Sequence, residues 1–208
     1  MAQLVSRLAM DWTVHKKRLY AAVLTNIRVA AGSPEMRIQK LWPNTDWTRI
    51  WKNLKEAPVS DNTRCTWYRV LHDVTPTNAR LYRIKMTPSI SCQRCTMDDR
   101  LEHRLTECGE GRNIWQYTKT RIALILRTIP SRIPDEWILR PQFNIWPTRL
   151  NNAVLWLIAS VTFRLHQRTT LTLSDFMDFL LRARWKLLNH TRCRNLVGNY
   201  LTVIDYNK

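Results

Sequence analysis

The stretch Cys92-Gln-Arg-Cys95-Thr-Met-Asp-Asp-Arg-Leu-Glu-His103-Arg-Leu-Thr-Glu-Cys108 places three thiols and one imidazole within seventeen residues. That is a complete tetrahedral donor set for a zinc ion, with a two-residue gap between the first pair of ligands. Such a gap lets two sulfurs reach one ion from a tight turn. Thr96, Asp98 and Asp99 suit a turn or a helix start, with the aspartates capping. Leu101 to Cys108 then reads as a short helix with His103 near its start and Cys108 near its end. Four protein ligands leave no open position for water, so the expected Zn²⁺ is structural. Cys92, Cys95, His103 and Cys108 are the candidate ligands.

Working outward, the flanks differ from this centre in charge. The chain of 208 residues has a formal net charge of +17, from 33 basic and 16 acidic residues. Residues 1–91 carry 15 Lys/Arg against 6 Asp/Glu, and residues 109–208 again carry 15 against 6. Residues 92–108 carry only 3 against 4. Three thiolates around a dication add about one further negative charge. The zinc segment therefore staples, and its flanks attract the polyanion that so basic a chain implies, RNA or DNA first. An anionic membrane surface is the other class of polyanion. The longest apolar run, Ala153–Phe163, is eleven residues flanked by Arg149 and Arg164, too short to span a bilayer.

Composition points to helices. Four glycines, ten tryptophans and a 45% hydrophobic content describe a globular, mostly α chain. No apolar core leads to a signal cleavage site in residues 1–31, so the expected location is intracellular, nucleus or cytoplasm. In a reducing compartment zinc is a better reading of these cysteines than disulfides. The two cysteines outside the cluster, Cys65 and Cys193, are expected to be buried as small apolar side chains.

Taken in order, residues 3–31 read as helical, with a basic turn His15-Lys-Lys-Arg18 and a stop at Gly32-Ser-Pro34. Asp46 caps a helix with Trp47, Ile50, Trp51 and Leu54 inward. Pro58 to Asp61 opens another, with Trp67, Val70, Leu71 and Val74 inward. Thr75-Pro76-Thr77 caps a third over 78–85, with Leu81 and Ile84 inward. This third helix brings Arg80, Arg83 and Lys85 together beside the zinc segment, the preferred phosphate-binding patch. Arg94 and Arg104, with Gln93, are candidates for contact from the zinc loop itself.

Gly109-Glu-Gly111 is expected to redirect the chain into a helix over 112–128. Pro130, Pro134, Pro141 and Pro147 punctuate an irregular segment whose Trp137, Phe143 and Trp146 call for packing. Ala153–Phe163 lies in a buried helix. Thr172 to Asp175 is a capping box for a helix whose other positions, Arg182, Arg184 and Lys186, offer a second basic face. A short tail over 191–208 follows. The organisation is three segments: 1–45, 46–128 with the zinc site, and 129–208 after the proline-rich connector.

Catalytic signatures are few. The acids are scattered, no Gly-rich phosphate loop occurs, and there is no Gly-x-Ser-x-Gly elbow. Pro134-Asp135-Glu136 is the one stretch reminiscent of a restriction-type nuclease site, but no lysine lies between Thr120 and Lys186 to complete it.

From Trp47 to Trp115 the chain resembles the zinc-binding region that follows the reverse transcriptase in non-LTR (LINE-type) retrotransposon polyproteins. The matching residues are Trp51, Trp67-Tyr68-Arg69, Leu71-His72, Pro76-Thr77 with Leu81, the four ligands, and Ile114-Trp115. Ile133 to Trp137 and Asp178 to Arg182 are similar to the tails of insect elements. The resemblance implies zinc ligation at Cys92, Cys95, His103 and Cys108, and a role in holding element RNA or target DNA. The Tyr/Phe-Ala-Asp-Asp signature of the polymerase and an endonuclease domain are both missing from this sequence. The chain is thus expected to be non-enzymatic and to represent a fragment, a relic or a gene predicted from retrotransposon sequence. The expected function is nucleic-acid binding. A zinc-stabilised scaffold for protein interaction is the alternative, and a nuclease remnant built on Asp135 comes last.

Overall fold

A computed structural model describes residues 42–167, 171–189 and 191–201, the side chains of 191–193 excepted. The expected helix over 3–31, its basic turn at His15 to Arg18 and the stop at Gly32 to Pro34 lie outside the described residues, as do 202–208. The chain divides after Thr45. Of the first unit, the described part is a turn in which the Thr45 N–H donates to the Trp42 carbonyl at 3.2 Å. All that follows concerns Asp46–Lys208.

Short polar residues start the helices as their chemistry dictates. Asp46 accepts the Arg49 N–H at 2.9 Å and opens α1 (Trp47–Glu56). Ser60 accepts the Thr63 N–H at 3.3 Å and opens α2 (Asp61–Leu71). Thr77 accepts the Arg80 N–H at 3.3 Å and opens α3 (Asn78–Arg83). A π-helical turn (His103–Glu107) leads into α4 (Gly109–Leu126). The proline-rich stretch forms two 3₁₀ turns, Pro130–Arg132 and Asp135–Trp137. Then come α5 (Thr148–His166), α6 (Leu173–Asn189) and α7 (Thr191–Val197). Thr172 and Asp175 close the capping box before α6: the Asp175 N–H donates to Thr172 Oγ1 and the Thr172 N–H to Asp175 Oδ2, each at 3.1 Å. The Thr172 hydroxyl first, then the Thr172 N–H, both donating to Asp175 Oδ2, hold the Asp175 carboxyl below its ordinary value.

The fold is mostly α, with the Cys₃His cluster in its middle. Among the described residues the one β pairing outside named strands is the antiparallel bridge Ser91–Asp98. The apolar run lies in α5, whose residues from Asn151 through Thr162 are all buried. A helix apolar all round must be covered on every side, and α5 is met by α1, α2, the π turn, α4, α6 and α7. Burying each Leu, Ile or Val there contributes about 2 kcal/mol of transfer free energy. Among the described residues no helix is long and apolar enough to cross a membrane.

With few glycines, the chain closes three of its helices on other residues, while Gly198 follows α7. Asp73, Lys85 and Arg127 take the left-handed conformation, with φ of 48°, 57° and 52°. After α2, the Asp73 N–H reaches the Val70 carbonyl and the Val74 N–H the Arg69 carbonyl. After α3, Lys85 reaches Tyr82 and Met86 reaches Leu81 in the same pattern, a Schellman closure. Val74, which follows the first closure, and Ile84, which lies just before Lys85 in the second, are both expected inward and both exposed. Leu81 is half-buried. Cys65, expected in the core, is exposed on α2, and the side chain of Cys193 lies outside the description.

The proline-rich stretch packs as its aromatics require. Trp137 and Phe143 lie 4.3 Å apart between ring centroids, and Ile133 and Ile138 are buried; Trp146 is the exception, 85% exposed. Buried Asn53 on α1 fastens this strap by donating to the Pro141 and Phe143 carbonyls at 2.7 and 2.9 Å. Asn151 on α5 completes the fastening, its Oδ1 accepting the Ile145 N–H at 3.1 Å.

Candidate metal centre and the basic helix beside it

Cys92 and Cys95 sit at the tip of a small hairpin. The Asp99 N–H donates to the Ile90 carbonyl and the Cys92 N–H to the Met97 carbonyl, both at 2.8 Å, on either side of the Ser91–Asp98 bridge. The Arg94 N–H points back at Cys92 Sγ at 3.4 Å. The aspartates thus do not cap the ligand-bearing turn that follows them: Asp98 belongs to the bridge and Asp99 turns its carboxylate into the protein, toward the start of α3.

The other two donors come from the π turn. In an α-helix, residues five apart lie about 140° apart around the axis. The π turn instead bonds the Cys108 N–H to the His103 carbonyl at 2.7 Å, setting the fifth residue over the first. This winding, rather than the expected α-helical one, brings His103 and Cys108 to one side. Gly111 permits it. A Cβ there would stand 2.6 Å from the Arg104 carbonyl oxygen, so only glycine lets α4 press against the turn. Gly109 and Gly111 therefore lie inside α4's first turn and do not form a separate redirecting loop.

The four donor atoms all lie within 4.8 Å of one another. Cys95 Sγ is 3.2 Å from His103 Nε2. His103 and Cys108 are buried, Cys92 and Cys95 half-buried. Burial raises the Cys108 thiol above its ordinary value, and the neighbouring sulfurs of Cys92 and Cys95 raise it further; the Glu110 backbone opposes them. A cation at the centre reverses that repulsion. His103 Nδ1 lies 3.8 Å from Glu107 Oε2, beyond direct hydrogen-bond distance. The chemistry of the set fits one metal ion held by all four side chains.

The candidate phosphate-binding residues separate into two groups. Arg104 is 4% exposed and paired with Asp99; its Nε donates to Asp99 Oδ1 at 2.9 Å and Nη1 to the His166 carbonyl at 3.2 Å. Arg94 donates to the Gln167 carbonyl at 3.1 Å and lies 3.4 Å from Glu110 Oε2, its side chain 5% exposed. Both arginines reach the C-terminal end of α5, where unsatisfied carbonyls and the helix dipole favour cations. They dock the metal loop onto the core and are not available as surface phosphate contacts, contrary to expectation. Gln93 is exposed.

Arg80, Arg83 and Lys85 stay together on and just after α3. Arg83 and Lys85 are exposed; Arg80 is half-buried, with Nη1 on the Asp73 carbonyl at 2.7 Å. The start of α3 is tied to the metal loop. Asp99 Oδ2 accepts the Asn78 N–H at 2.7 Å, and Asn78 Nδ2 donates to the Ser91 carbonyl at 2.7 Å. Sequence reasoning missed Asn78 and the role of Asp99. The only signal for either was an amide following a helix cap and a second acid in the loop.

Asp135, the residue on which a nuclease reading would rest, accepts from Trp115 Nε1 at 2.7 Å and Lys119 Nζ at 2.8 Å. Partial burial raises its carboxyl, but the hydrogen bonds from Lys119 and Trp115 and the Lys119 charge outweigh that and leave it below its ordinary value. It fastens a 3₁₀ turn to α4.

No protein-family model, no curated protein and no solved structure matches the chain.

Proposed function

We propose that this chain is a nucleic-acid-binding module, of the kind that ends a non-LTR retrotransposon reverse transcriptase polyprotein, acting without polymerase chemistry of its own in the nucleus or cytoplasm. Zn²⁺ is the ion that suits three thiolates and an imidazole. With Zn–S near 2.3 Å, a tetrahedral site has sulfurs about 3.8 Å apart, which agrees with donors gathered within 4.8 Å. When bound, zinc supplies charge neutralisation and a fixed geometry and nothing catalytic. The chain's own residues do the rest.

One observation carries the reading. The Asn78 N–H and side chain are held by Asp99 and Ser91 of the metal loop, so the ion's hairpin sets the position of α3 and with it Arg80, Arg83 and Lys85. Phosphate groups along RNA or DNA would meet these cations. A second reading, a scaffold for another protein, draws on the exposed Ile84, Met86 and Met97 around the same helix.

Salt separates the two. Binding of a labelled RNA or DNA strand by phosphate contact weakens steeply as salt rises, with a slope of about −0.7 per contact for a single strand. The Arg80→Ala/Arg83→Ala/Lys85→Ala variant is expected to lose affinity and flatten that slope. A flat salt response in the parent chain, or unchanged binding by the variant, contradicts the proposal.

A further inference from the structure

The outward side of α6 carries two parallel rows. Arg182 and Lys186, four residues apart, form a cationic row; Leu181 and Trp185, also four apart, form an apolar row beside it. All four are exposed, Trp185 at 66%. This is not the helix's packing face, because Phe176, Leu180 and Leu187 are the residues it buries.

Next to the cationic row runs a groove of about 630 Å³ between α6 and the end of α5, lined by Arg164, Asp175, Phe179, Arg182 and Lys186 among others. The Arg164 guanidinium lies over the Phe179 ring, 4.8 Å from its centroid, with Nη1 on Gln167 Oε1 at 2.8 Å. Its Nε is buried without a hydrogen-bond partner. The lining acid, Asp175, spends its Oδ2 on the Thr172 N–H and hydroxyl, and Asp178, also exposed on α6, stands one turn before Arg182. Three cations thus border a groove with one acid in its lining, beside an exposed indole.

We infer that α6 is a second binding site, for single-stranded nucleic acid: Arg164, Arg182 and Lys186 hold successive phosphates and Trp185 stacks an unpaired base. Spaced cations beside one aromatic face suit a strand, in which charge and π surface alternate. A bilayer surface requires a broad apolar face; the exposed apolar row beside the cations is only Leu181 and Trp185, and Phe176, Leu180 and Leu187 are buried against the protein. The inference rests on the nucleic-acid reading but uses a helix distant in sequence from α3. It specifies unpaired rather than duplex substrate.

The test uses the full metal-loaded chain and a labelled oligothymidine of about 20 nucleotides, a length that several such contacts can span. Affinity is followed from about 50 to about 200 mM salt. The same series is run with a duplex and with phosphatidylserine vesicles. Trp185→Ala is expected to weaken strand binding on the order of ten-fold and duplex binding far less. Arg182→Ala/Lys186→Ala is expected to weaken strand binding and reduce the salt slope by about 1.4, while Arg182→Lys/Lys186→Arg keeps both. Circular dichroism checks that each variant folds.

If the α6 variants bind the strand normally while the α3 variant does not, α6 is no site and the reading of α3 stands. If the parent chain binds no nucleic acid, the reading of function fails and this inference with it. Equal losses on strand and duplex, or binding to vesicles in place of the strand, also overturn it.

Discussion

Asp99 and Arg104 face each other inside the protein, five residues apart, the Arg104 Nε donating to Asp99 Oδ1 at 2.9 Å while both side chains are about 95% buried. The other carboxylate oxygen takes the Asn78 N–H. One acid thereby joins the hairpin, the π turn and the start of α3. Leaving one buried charge without its partner costs about 3–5 kcal/mol. Asp99→Ala is expected to destabilise the metal-loaded protein by roughly that amount in urea unfolding. Arg104→Ala should do likewise. A loss below about 1 kcal/mol for both would mean that the pair is not the joint.

Lys85 holds a left-handed backbone conformation that glycine adopts freely. Lys85→Gly should therefore raise stability by about 1 kcal/mol while weakening binding to RNA or DNA. Arg127→Gly, at the equivalent closure of α4, should give the same gain. Its binding should be unchanged. Equal binding by both variants would remove Lys85 from the phosphate patch.

Asn53→Ala strips the donors from the Pro141 and Phe143 carbonyls. The expected loss is about 2 kcal/mol, because buried polar groups are left unsatisfied. Thermal unfolding of the variant measures it. Little change would show that the strap is held by its aromatic packing instead.

His166 lies near the end of α5, facing the Arg104 and Arg69 charges. Burial first, then those two cations, lowers its pKa to about 4. Its charged form is thus disfavoured in the folded state, and the unfolded chain takes up the proton more readily. The stability this residue contributes is fully present above the unfolded value, near 6.5, and is lost as pH falls from there toward 4. His166→Asn is expected to lose less unfolding free energy in urea between about pH 7 and 5 than the parent chain, by at most roughly 2 kcal/mol, reduced by solvent screening of the half-buried ring. Parallel pH profiles for the two proteins would contradict this.

Much of this arrangement could be read in the residues themselves. Asp46, Ser60, Thr77 and Thr172 announce their helices because a capping bond is local. The four ligands announce themselves because a tetrahedral ion demands their spacing, and α5 because its run has no polar side. What the sequence could not show depends on partners far along the chain. Arg94 and Arg104 look like surface cations until the His166 and Gln167 carbonyls, more than sixty residues away, are seen to receive them. The π turn follows from the Gly111 approach to the Arg104 carbonyl, a steric fact with no periodicity of its own. Cys65 resembles a core residue in kind but falls on the outer side of α2.

The account stands on the four donors sharing one ion. Metal content of the purified chain, measured by elemental analysis alongside thermal unfolding, tests this most directly. The prediction is one zinc per chain, lost in Cys95→Ser and on chelation, with the unfolding transition falling sharply in both cases, since a structural zinc contributes on the order of 10 kcal/mol. A chain that carries no metal, or one that unfolds at the same temperature with and without it, would contradict the account.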